Sequence, residues 1–60
     1  MSNFIKLQRD GYNLILNVNQ IVKAIFLEDQ EELVVYYSNG ENDTFHDSDE
    51  IRKVEAALEV

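Results

Sequence analysis

The residues with the most obvious chemical potential lie side by side in "HDSD", His46 to Asp49. A histidine next to a serine and two carboxylates is the material of nucleophilic catalysis, with the imidazole as base. The spacing argues against that use. Neighbours along an extended segment point apart, and no Gly-rich run that would supply an oxyanion hole accompanies them. His46 is therefore expected as a partly exposed histidine at a sheet edge, and the chain as a non-enzyme. The wider stretch "GENDTFHDSDE" (40–50) is rich in oxygen donors, as a calcium loop must be. It lacks the alternating acids around a central Gly, and it divides between a strand and a helix cap. With no Cys and a single His, thiolate and multi-His zinc sites are excluded. No metal or cofactor is expected.

Tyr12, Tyr36 and Tyr37 have ring faces on which bases could stack, but the charge around them has the wrong sign. The formal net charge is −7. From Glu28 to Glu50 there are nine acids and no Lys or Arg. Such a surface repels a phosphate backbone, which argues against direct binding of nucleic acid. It suits a basic protein partner, with Glu28, Asp29, Glu31, Glu32, Glu41, Asp43, Asp47, Asp49 and Glu50 as the contact set.

These residues are positioned by five strands and one helix. "FIKLQ" (4–8) alternates, with Ile5 and Leu7 on one side. Asp10-Gly11 then signals a type I′ hairpin turn into strand 2 (12–17). That register sets Arg9 opposite Tyr12, Leu7 opposite Leu14 and Ile5 opposite Leu16. Asn17 and Asn19 favour a tight corner. Strand 3 follows at 21–27 and strand 4 at 33–38, rich in β-branched and aromatic residues. Asn39-Gly40 signals a second type I′ turn, which would set Val34 opposite Phe45, Val35 opposite Thr44 and Tyr36 opposite Asp43. Strand 5 (42–46) is polar apart from Phe45 and suits a sheet edge. Ile51, Val54 and Leu58 then recur at helical spacing, predicting a helix over 48–58. Asp47 is its cap, and Glu50, three residues on, completes a capping box. The fold class is α+β, mostly β: one domain over 1–60, an antiparallel five-stranded meander or small half-open barrel with a C-terminal helix.

Strands 3 and 4 are apolar on both faces. Ile21, Ile25 and Leu27 share one side of strand 3, interrupted by Lys23; Val22, Ala24 and Phe26 take the other. A 60-residue chain buries only about 60% of its unfolded surface, and this one has no disulfide to add. Self-association, as a dimer, is the expected remedy. The interface expected is Val22, Phe26, Val35 and Tyr37, or the opposite set if the helix covers these.

The series Ile5, Leu7, Gly11, Asn17, Ile21, Ile25, Val34, Val35, Asn39-Gly40 and Ser48 to Ile51 resembles the small FlbD-type flagellar accessory proteins. Those proteins also open on a strand and a Gly turn, place an Asn before the third strand, and end in a short helix. The chain departs from their pattern in "EELVV" at the start of strand 4 and "FHDSDE" before the helix. The resemblance implies a bacterial motility accessory with no cofactor. The residues themselves point to a small cytosolic interaction module of bacterial or phage origin. They also suit an acidic phage-type inhibitor or nucleic-acid mimic. No apolar run approaches the ~18 residues of a membrane span, and "MSNFIKLQRDG" lacks the features of a signal peptide.

Overall fold

The computed structural model describes residues 3–59. The elements run β1 (Phe4–Arg9), β2 (Tyr12–Asn17), a 3-10 turn (Val18–Gln20), β3 (Ile21–Leu27), β4 (Glu32–Tyr37), β5 (Asn42–Phe45) and α1 (Ser48–Leu58). This is the mostly-β α+β fold read from the sequence. The strands divide into two antiparallel sheets, β1-β2 and β3-β4-β5. The division falls at the Asn-rich corner. There the Asn17 side chain accepts from the Asn19 N–H at 3.0 Å, holding the chain in a turn where a ladder would otherwise continue.

Hairpin β1–β2 has the expected register, with Arg9 opposite Tyr12, Leu7 opposite Leu14 and Ile5 opposite Leu16. Its turn is not type I′, which needs two left-handed residues; only Gly11 has positive φ. The second hairpin corrects the sequence reading by one residue. Leu33 faces Phe45, Val34 faces Thr44, Val35 faces Asp43 and Tyr36 faces Asn42. The cause is the turn. Gly40 N–H donates to Tyr37 O at 3.0 Å, and Tyr37 N–H to Glu41 O at 2.8 Å, with Gly40 alone at positive φ. Ser38, Asn39 and Gly40 thus form a three-residue loop closed by a left-handed Gly. The extra residue moves Phe45 from the outer face to the inner one.

A second correction concerns β3. Pairing with β4 shifts between Ile21 and Lys23, leaving Val22 as a bulge. Beyond it, Ala24 faces Val35 and Phe26 faces Leu33 on the inner side, while Lys23 faces Tyr36 and Ile25 faces Val34 on the outer side. Ile21, opposite Tyr37, therefore joins Ala24 and Phe26 rather than Ile25 and Leu27. An added residue breaks the period of two that strict alternation assumes.

The core is small. Leu7 and Leu16 of the hairpin meet Leu33, Val35 and Phe45 of the three-stranded sheet, with Ile51 and Val54 of α1 completing the cluster. Ile5, Leu14, Ile21, Tyr37 and Leu58 pack around it. The helix begins where Asp47 accepts from the N–H groups of Asp49 (2.8 Å) and Glu50 (3.2 Å), as a cap should. It ends at Glu59, which is left-handed. No helix among the described residues is long and apolar enough to cross a membrane.

Candidate interaction surface

The four residues of "HDSD" go to four separate positions. Nδ1 of His46, just past β5, lies 2.7 Å from Glu32 Oε2 at the start of β4. Asp47 caps α1 and Ser48 is its first residue. Asp49 faces Arg52 at 3.9 Å in an exposed pair one turn along. No nucleophile–base contact arises among them. Among the described residues no three His, Cys, Asp or Glu side chains gather to hold a metal ion.

The acidic set separates into engaged and disengaged members. Glu32 is paired with His46, Asp47 caps the helix, and Glu41 exchanges hydrogen bonds with the Asn39 side chain at 3.2 and 3.0 Å. Asp43 accepts from the Tyr37 hydroxyl at 2.7 Å. Burial pushes the Tyr37 phenol well above the ordinary tyrosine value; the hydrogen bond to Asp43 and the charges of Asp43 and Glu41 push it further the same way. Glu50 pairs with Arg9 at 3.1 Å, so it joins helix to hairpin rather than closing the capping box. The Arg9 Nε–H is not aimed along that line, so the contact is an ion pair without an aligned hydrogen bond. With Asp49 set against Arg52, the remaining three, Glu28, Asp29 and Glu31, sit in the β3–β4 turn, where their side chains make no hydrogen bond or ion pair with another described residue.

The expected interface residues also separate. Val35 is wholly buried in the chain's own core, and Tyr37 packs against that core. Val35 offers no surface, and Tyr37 is only partly exposed. Val22 and Phe26 offer more, at 67% and 45% exposed. The hairpin and helix cover the inner face of β4, so the outer set becomes relevant: Ile25 and Leu27 are 39% and 37% exposed. Val34 and Tyr36 beside them are half-buried, and Lys23 Nζ lies 4.7 Å from the Tyr36 ring centroid. Only eight apolar side chains among the described residues are buried, and four of the seven large exposed ones lie on β3.

The reason is topological. β3 is an edge strand, paired on one side only. The helix packs toward β1 and β5, and every residue of β3 after Ile21 is exposed. Between the helix and β3 runs a groove of two adjoining depressions, about 490 and 420 Å³, that share Phe26 and Glu55. Ile21, Leu33, Ile51 and Leu58 supply apolar walls, and Glu28 and Glu31 stand at one end. Alternation in the sequence signalled two apolar faces but not the bulge. Lys23 was the available cue: a charge amid Ile25 and Leu27 marks that side as the outer one.

No protein-family model matches this chain, and no curated protein or solved structure matches it.

Proposed function

We propose that this protein is a non-enzymatic interaction module that works by associating with a second copy of itself through the β3 side of the molecule. The observation that carries this reading is the exposure of Val22, Ile25, Phe26 and Leu27 on one edge strand. Single exposed apolar residues are ordinary on any surface. Four in one edge strand, on both faces, concentrate apolar surface as interaction sites do. Each large apolar side chain fully covered stabilises by about 1.5–3 kcal/mol, a large fraction of what a domain this size has. Stability should therefore depend on concentration. A thermal melt repeated from 2 to about 200 µM, with roughly 4–8 °C per kcal/mol for a small domain, should show a rising midpoint. A midpoint constant over that range contradicts the reading.

The Glu28, Asp29 and Glu31 turn favours a second reading, a basic protein partner held by charge. These carboxylates pair with no other described side chain, and Glu28 and Glu31 line the groove beside Phe26. Binding of such a partner should weaken steeply with salt and after charge reversal at Glu31. Affinity indifferent to both counts against it.

A further inference from the structure

We infer that β3 is completed by β3 of a second copy, the two strands running antiparallel about a two-fold axis at Ile25, so that two three-stranded sheets join into one of six. The inference rests on the self-association reading and specifies its geometry.

Charge selects the strand. Two copies of a chain with net charge −7 repel, so they meet where carboxylates are fewest. From Gly11 to Leu27 there is no Asp or Glu and only one charged residue, Lys23. That stretch holds β2 and β3. On β2, Leu14 and Leu16 are turned into the core, and the large exposed side chains are Ile15, between Asn13 and Asn17, and Tyr12 at the turn. On β3 both faces carry exposed apolar side chains, Ile25 and Leu27 outward and Phe26 inward. A strand apolar on both sides is suited to the middle of a sheet, not to its edge.

The free edge of β3 is itself open to pairing. Natural edges are guarded by projecting charge, by Pro or by bulges. There is no Pro in the chain, and the bulge at Val22 is confined to the start of the strand. The one Lys lies over Tyr36 of β4, the neighbour on the paired side. Lys23 to Leu27 therefore presents a regular, unguarded run.

Direction and register follow from the side chains. Parallel pairing would set Lys23 beside Lys23 and one acidic turn beside the other. Antiparallel pairing brings the Lys23 end of each strand toward the Glu28–Asp29 end of its mate. Cross-strand residues share a face and a two-fold relates identical strands, so the axis must pass through a residue. At Ile25, Ile25 meets Ile25 of the second copy outside, and Phe26 meets Ala24 inside, large against small, as sheet packing prefers.

The absence of cysteine makes this directly testable. Opposed residues in an antiparallel pair have Cα atoms about 4.5–5.5 Å apart, within disulfide range. In Ile25→Cys, mild oxidation should convert most of the protein to a covalent dimer, whereas Ile15→Cys, on the other sheet and more exposed (61% against 39%), should stay uncoupled. In the unmodified protein, β3 amides should be protected from hydrogen exchange at high concentration and lose protection at least tenfold on dilution. A dimeric wild type in which Ile25→Cys does not couple and β3 exchange ignores dilution overturns the pairing and leaves self-association standing. A monomeric wild type overturns both.

Discussion

Arg9 Nε lies 3.1 Å from Glu50 Oε2, joining the tip of the first hairpin to the first turn of the helix. The same guanidinium sits 5.7 Å from the centroid of the buried Phe45 ring. One side chain thus ties three elements that do not share a ladder. The carboxylate is mostly shielded and the guanidinium about two-thirds so, which makes this pair stronger than a surface one. A double-mutant cycle with Arg9→Met and Glu50→Gln should give a coupling of about 1 kcal/mol in denaturant unfolding. A coupling within ~0.3 kcal/mol of zero, the scatter of independent sites, would show the contact to be incidental.

Asp47 satisfies two N–H groups at the start of α1, and that helix supplies Ile51 and Val54 to the core. Asp47→Ala should cost about 1 kcal/mol and Asp47→Ser much less, because serine also caps. Ser48→Ala, one residue on, should fall within ±0.5 kcal/mol. Equal losses at 47 and 48 would mean that the cap is misassigned.

Tyr37 ties alkaline stability to its hydrogen bond with Asp43. Its folded value is raised above the ordinary value near 10, so between pH 10 and that raised value the unfolded chain loses the proton and the folded chain keeps it. Stability from this group is whole below pH 10 and declines as pH climbs through that window. Unfolding measured from pH 8 to 11.5 should show a decline above 10 that Tyr37→Phe flattens. The same substitution should cost about 1 kcal/mol at neutral pH, since Asp43 loses its donor. An unchanged alkaline slope in Tyr37→Phe would place the titration elsewhere.

Glu31 holds φ of 54°, a left-handed conformation that glycine adopts freely and glutamate does not. Its side chain is exposed and unpaired, so nothing offsets the strain locally. Glu31→Gly should raise stability by about 0.5–1 kcal/mol, the relief exceeding the entropy glycine adds to the unfolded chain. Gly40→Ala should do the reverse. A new Cβ there meets open space, so its whole cost, about 1–2 kcal/mol, is backbone strain at φ 90°. Destabilisation by Glu31→Gly would show that the turn tolerates glutamate without strain.

Much of this fold was legible in the residues, and the illegible part has two physical sources. Alternation, Asp-Gly, the Asn corner and the helical spacing of Ile51, Val54 and Leu58 place every element within a residue or so of where it lies. Asn39-Gly40 did not distinguish a two-residue turn from a three-residue one, because both seat Gly in a left-handed position; the resulting slip moved Phe45 to the wrong face. The bulge at Val22 lies just past the corner between β2 and β3, and local alternation does not encode it. The exposed apolar surface was half legible. Two-sided apolarity was plain, but whether Val35 or Ile25 faced out depended on where hairpin and helix came to rest.

The measurement that bears most directly on self-association is the mass in solution by light scattering at 50 µM, for wild type and Ile25→Lys side by side. The account requires about twice the 7.0 kDa of one chain for wild type and a folded single chain for the variant. A wild type at 7.0 kDa with native secondary structure would contradict it, since the exposed strand would then need no cover.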